Sequence, residues 1–216
     1  MNKNFKLFCL SALSILFLSC AEPKKNTDEC NLTKEQVVIE NLMTRRSIRA
    51  YKDEAVPRDI MNKILECGIY APNGMNKQPW EIRVVDNPEI LNALTEAYLA
   101  GMDEENPFYP KKDSTFRNMF RNAPTVAFVA MEPGMSTQVD CGLLTGNMVN
   151  AAWAYGIGSC IQMAPIGFMK SEAAKPYLDK LAFSEGYELL LVVGFGYPNE
   201  TPVAEPRIKE KIRYVK

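Results

Sequence analysis

Histidine is absent from all 216 residues. That removes Ser-His-Asp and Cys-His nucleophile arrangements and the commonest catalytic zinc spheres. An enzyme with this sequence does without imidazole acid–base chemistry, so its hard chemistry would sit on a bound cofactor. Cysteine occurs six times, at Cys9, Cys20, Cys30, Cys67, Cys141 and Cys160, but never as C-x-x-C. Neither a thioredoxin-type motif nor a zinc knuckle is encoded, and no metal set is predicted. The later cysteines read as small buried residues, with a disulfide left open in an oxidising compartment. There is no GxxxxGK[ST] loop. Gly156-Ile157-Gly158 offers a GxG, but it follows a helical stretch and has Ile161 where the third glycine of a dinucleotide fingerprint belongs. Low-complexity tracts and solenoid repeats are lacking. The formal net charge of -1 argues against a general polyanion binder.

Long hydrophobic runs are also scarce. The longest near the start, residues 7–18, is too short to span a bilayer as an ordinary helix. It follows Lys3 and Lys6 and closes on Ser19-Cys20. This pattern resembles a bacterial lipoprotein signal over residues 1–20, with Cys20 as the lipidated first mature residue. Cleavage after Ala21, giving a soluble periplasmic protein, is the alternative. Residues 21–32 are polar and aperiodic and read as a tether, and residues 33–216 form the folded domain. The lipidated form would sit at the cell envelope, in the periplasm or at the outer membrane.

Helices and strands mix within the domain. A T-x-x-Q capping box at Thr33 opens a helix to about Thr44, with Val38 and Leu42 on one face. Pro57 starts a second helix with an Ile60, Ile64, Leu65 stripe. Residues 80–85 and 125–131 read as strands, and 88–100 as a helix. A short helix is expected before Ala123-Pro124. Residues 137–155 form a long helix carrying Gly142, Gly146, Ala151 and Ala152, small residues that suit either intrachain packing or a subunit seam. Residues 159–165 read as extended, 169–181 as a helix and 187–198 as a strand covered on both faces. Residues 212–215 are a further strand candidate. Without clean β-α-β repetition, the class is α+β.

One stretch stands out against the near-neutral balance. "TRRSIRAY" (residues 44–51) places Arg45, Arg46 and Arg49 within five positions. In an extended segment Arg45, Ser47 and Arg49 share one side, the outer two roughly 13 Å apart. Two guanidinium forks flanking a hydroxyl suit an elongated anionic ligand, phosphate above all. Arg46 and Ile48 face the other way, and Ile48 can anchor the strip in the core. A solvated basic patch is the competing interpretation. Next, "APNGMNKQPW" (residues 71–80) carries the Asn73-Gly74 turn pair and amides at Asn73 and Asn76.

Taken in order, "RRSIR" and "APNGMNKQPW" resemble the FMN-dependent nitroreductase family. "NAAWAYGIGSC" (150–160) and "LLLVVGFGYPNETPVAEPR" (189–207) are similar to its flavin turn and its last core strand with a terminal arginine. The resemblance covers roughly residues 34–216. It implies a three-layer α/β/α sandwich with a mostly antiparallel sheet, an intertwined homodimer, and FMN at the subunit interface. It implies that Arg45 and Arg207 reach the phosphate with Arg46 beside them. Ser47 would meet the ribityl chain or phosphate, and Arg49 would lie near flavin N1 and the C2 carbonyl. Pro72, Asn73, Gly74 and Asn76 would come from the partner, and Ile161, Gln162, Met163 and Ala164 would line the ring. Electrons would pass from NADH or NADPH to a small nitroaromatic or quinone-like acceptor in a ping-pong scheme. Reductive dehalogenation, or an anchored flavin-binding role without catalysis, are alternatives. The sequence departs from the family pattern at Glu205, where some members have lysine, and at Gln162-Met163. Pro107, Phe108, Tyr109 and Phe116 are expected to form a lid.

Overall fold

The computed structural model describes residues 32–103, 105 and 116–215. Signal, tether and the lid residues Pro107, Phe108 and Tyr109 lie outside that range. Helix α1 (Lys34–Thr44) begins as the capping box dictates: Thr33 Oγ1 accepts from Gln36 N, and Gln36 Oε1 accepts from Thr33 N. Helix α2 spans Arg58–Ile69, strand β1 Trp80–Val85, α3 Pro88–Ala100 and β2 Thr125–Met131. The long α4 covers Thr137–Ala154. Strand β3 (Gly158–Gln162), helices α5 (Ala164–Met169) and α6 (Lys175–Leu181) and strand β4 (Glu188–Gly196) complete the order.

The strands form one antiparallel sheet in the order β1-β2-β4-β3. Strand alternation divides the core. Ala127, Val129, Leu191, Val193 and Phe195 face α2 and α4, whereas Val126, Phe128 and Val192 face α3, α5 and α6. Three α/β/α layers result, with β2 and β4 central and covered on both sides. Helix α2 lies tightly on α4, because a Cβ at Gly68 would meet Met148 Cγ at 2.5 Å. Gly142 and Gly146 do not make that contact: a Cβ at either would meet nothing within 4 Å. Of the two roles the small residues suggested, these glycines do not serve packing against other described residues of the chain.

Three expected elements differ. No helix precedes Ala123-Pro124 over residues 116–124, because side chains take the local amides. Asn122 Oδ1 accepts from Arg117 N and Asn118 N, and Asn118 Oδ1 accepts from Phe120 N. The single helix expected over 169–181 is two. Pro165 and Pro176 each sit in a first turn, where the missing N–H is tolerated, so α5 starts earlier and α6 restarts after a turn. Residues 212–215 are exposed and not a strand. Helix α1 has no buried residue, and Val37, Val38, Ile39, Leu42 and Met43 are all exposed.

Candidate functional site: a cationic strip along the sheet edge

Chain direction changes sharply at Arg45, which leaves α1 with φ -54° and ψ 133°. The strip then runs extended beside β3. Ser47 bridges Ser159 in parallel, and Ile48 N donates to Ser159 O at 2.9 Å. Ile48 is buried and fills the space above Gly158, where a Cβ would approach it within 2.8 Å. Past Arg49 the strip changes partner. Lys52 N donates to Tyr197 O, Asn199 N donates to Ala50 O, and Tyr51 pairs with Pro198. Glu200 Oε1 accepts from both Arg49 N and Ala50 N. Glu200 was not among the sequence candidates, since a carboxylate in a coil carries no periodic signal.

The guanidinium groups divide by task. Arg45 is half-buried and has no hydrogen bond or ion pair through its side chain among the described residues. Burial first, then the like charges of Arg46 and Arg207, push its guanidinium below its ordinary value. Arg207 is exposed and donates to Glu205 O at 2.7 Å. Arg46 turns back on α1, donating to Met43 O and Arg45 O, and so satisfies carbonyls at the helix end. Ser47's hydroxyl has no partner among the described residues. Two further cations thus lie near one half-buried guanidinium that has no carboxylate paired to it among the described residues. A phosphate placed there would relieve the burial penalty and the repulsion together.

Beyond Arg49 a cavity of about 460 Å³ opens, bounded by Gln162, Ala164, Tyr98, Phe116 and Arg121. Ile161, Met163 and Ala164 are exposed beside it. Gln162 is turned inward, donating from Nε2 to Phe120 O at 3.1 Å, so strand parity spends its amide on the core. Cys160 lies beneath. Burial raises its thiol above the ordinary value, partly offset by Arg49 and Arg121. Tyr51 is raised by burial, then by Cys160 and Glu200, while its hydroxyl donates to Ile48 O at 2.5 Å. Neither is poised as a base or nucleophile. The arrangement binds and stabilises negative charge. A larger cavity, about 720 Å³, is lined by Asp53, Asp86 and Glu96 against a single cation, Arg117. Its charge has the wrong sign for a phosphate ligand, and none of the strip's arginines reach it.

Pro72, Asn73, Gly74 and Asn76 lie elsewhere in the same chain. Their loop leads into β1, at the sheet edge opposite β3. It also lies at the opposite end, since Trp80 pairs with Met131 whereas Ser159 pairs with Phe195 and, through it, Thr125. Asn73 Oδ1 accepts from Gln78 N and its Nδ2 donates to Ala71 O, while Gly74 N donates to Asp140 Oδ1. Met75, Asn76 and Gln78 all have positive φ. The side-chain amide of Asn73 thus holds the loop's shape, and one chain cannot bring this loop to its own strip.

The comparisons agree with this architecture. Residues 42–197 match the model of the Nitroreductase family. The structure is similar to a nitroreductase with bound FMN from Desulfitobacterium hafniense, at TM-score 0.73 and 30% identity, covering 86% of this chain and 100% of that one. A nitroreductase with bound FMN from Bacteroides fragilis gives TM-score 0.69 and 30% identity over 83% of this chain and 98% of that one. The NADH dehydrogenase of Thermus thermophilus is 30% identical over 182 residues, 67% of this chain and 86% of that protein. On its fold, its strip-and-loop geometry and these matches, the chain belongs to the nitroreductase family.

Proposed function

We propose that the protein is an FMN-dependent oxidoreductase that takes two electrons from NADH or NADPH and passes them to a small electrophile, nitroaromatic or quinone-like. The observation that carries this is the half-buried, unpaired guanidinium of Arg45 beside Arg46 and Arg207. It fits a phosphate monoester at one end of the strip. When bound, FMN supplies a reversible two-electron store. Arg45 and Arg207 would hold its phosphate, and the Ser47 hydroxyl would be available to it or to the chain that follows. Arg49, fixed at its backbone by Glu200, brings a positive charge to the other end, where a reduced ring is most negative. Ile161, Met163 and Ala164, which are exposed, would supply a wall for its planar ring.

A homodimer completes the site in this reading. It brings Pro72, Asn73, Gly74 and Asn76 of one copy to the strip of the other. Support comes from the apolar residues exposed on α1 and from the open face of α4 at Gly142 and Gly146, surfaces that a monomer leaves in water. Lipidation at Cys20, with residues 21–32 as tether, is proposed on the sequence pattern of residues 1–20.

Purified protein should carry a flavin absorbance spectrum that bleaches on anaerobic mixing with a reduced nicotinamide and returns on adding a nitroaromatic, a quinone or an iodophenol. Relative rates rank the three acceptor classes. A chain that neither retains nor takes up FMN refutes the proposal.

A further inference from the structure

The cavity beyond Arg49 holds a second cation, Arg121, for which the reading above has no use. It is placed at some conformational expense. Arg121 and Asn122 are consecutive non-glycine residues at φ 56° and 61°, a region L-residues rarely enter. Around them Asn118 Nδ2 donates to Ala123 O and Arg117 Nη2 to Asn122 O, so the turn is held from both sides. Backbone strain kept in place at a cavity wall points to a role for the side chain it presents. That side chain has no hydrogen bond or ion pair among the described residues.

Charge counting then narrows the role. Among the described residues, no carboxylate lines this cavity. Glu200 does not line it, and its carboxylate accepts from the Arg49 and Ala50 amides on the strip's backbone. A reduced flavin ring develops about one negative charge, which Arg49 matches. Arg121 is left in the cavity wall without a partner among the described residues.

We infer that Arg121 selects electron acceptors that carry a carboxylate, binding it at the cavity wall while the reducible group lies against the ring. The site would then prefer an aromatic acid such as 4-nitrobenzoate over its neutral amide. This rests on the oxidoreductase reading for turnover but not for binding. The planar guanidinium fork suits a carboxylate bidentately, and screening by salt should weaken the preference.

The test pairs 4-nitrobenzoate with 4-nitrobenzamide in calorimetric titrations of the purified full chain, then in turnover with reduced nicotinamide. The wild type should bind the acid about tenfold more tightly and show a correspondingly lower KM, with kcat similar for the two. Arg121→Gln should erase the preference by weakening the acid alone, and Arg121→Lys should restore part of it. An unchanged flavin spectrum in both variants certifies their folding. A preference that survives Arg121→Gln, or equal binding by the wild type, overturns the inference. So does a variant that weakens both compounds, or FMN itself, to the same degree, since Arg121 would then serve the cofactor. Absence of flavin would sink the oxidoreductase reading while leaving the titration arm to decide this one.

Discussion

Replacing Arg45 by alanine should push cofactor affinity and the stability of the cofactor-free protein in opposite directions. In the cofactor-free protein the Arg45 guanidinium is half-buried, faces Arg46 and Arg207, and has no acid to offset them. Removing it relieves that repulsion, so cofactor-free Arg45→Ala should be at least as stable as the wild type in urea. With FMN present, one charge-assisted hydrogen bond to phosphate is lost. That is about 1.5–3 kcal/mol, which at about 1.4 kcal/mol per decade raises Kd roughly 10- to 150-fold. Quenching of FMN fluorescence measures the affinity, and chemical denaturation with and without FMN measures the stabilities. Because the guanidinium stays charged and the phosphate monoester is already a dianion there, the affinity loss should not depend on pH between about 7.5 and 9. If the variant destabilises the cofactor-free chain and leaves FMN affinity unchanged, Arg45 is a structural residue and the phosphate assignment fails.

Three further outcomes are expected. Arg49→Ala should lower the midpoint potential of the bound flavin more than it lowers affinity, read by anaerobic dye-coupled reduction; an unmoved potential would remove Arg49 from its electrostatic role. Gly158→Ala should lift the strip off β3, because its Cβ would meet three Ile48 carbons at 2.8–3.0 Å; overpacking of this kind costs about 1–3 kcal/mol, and FMN binding should weaken with it in the same titration. The Arg58 hydrogen bond, ahead of the opposing effect of burial, holds the Asp86 carboxyl below the ordinary carboxylate value. A depressed carboxyl contributes stability above its unfolded value of about 4 and loses it as pH falls through the folded one. Arg58→Met should therefore destabilise only slightly at neutral pH, since Arg58 is exposed, and converge with the wild type in acid.

Local signals carried much of the fold. The Thr33 capping box, Asn87-Pro88 at the start of α3 and the apolar runs of β2 and β4 each had one physical outcome, and the elements follow them. The elements that differ turn on competition the sequence does not display. Asn118 and Asn122 draw local amides into a turn where a helix was expected. Pro176 reads equally as an interruption within one helix or as the start of another. At the site, the Ile48 anchor followed from alternation and the three arginines of residues 45–49 from spacing, whereas Arg207 entered through the family resemblance. The direction of Arg46 and Gln162 did not, because each chooses among carbonyls supplied by distant or neighbouring backbone. Glu200 and Arg121 reach the strip only through tertiary structure, so nothing nearby in sequence marks them. Of the expected lid, Phe116 is described, and it lines the cavity beside Arg49.

The Glu200 clasp has a consequence for the order of assembly. Its acceptor lies 151 residues downstream of the amide it captures, and the strip's pairings to Ser159, Tyr197, Pro198 and Asn199 also wait on residues far along the chain. Contacts this remote form late, after the entropy of closing long loops has been offset by the sheet. A growing polypeptide that has emerged through α4 therefore has arginines but no groove. Flavin uptake becomes a post-synthetic event, coupled to completion of the final strand and the turn that follows it.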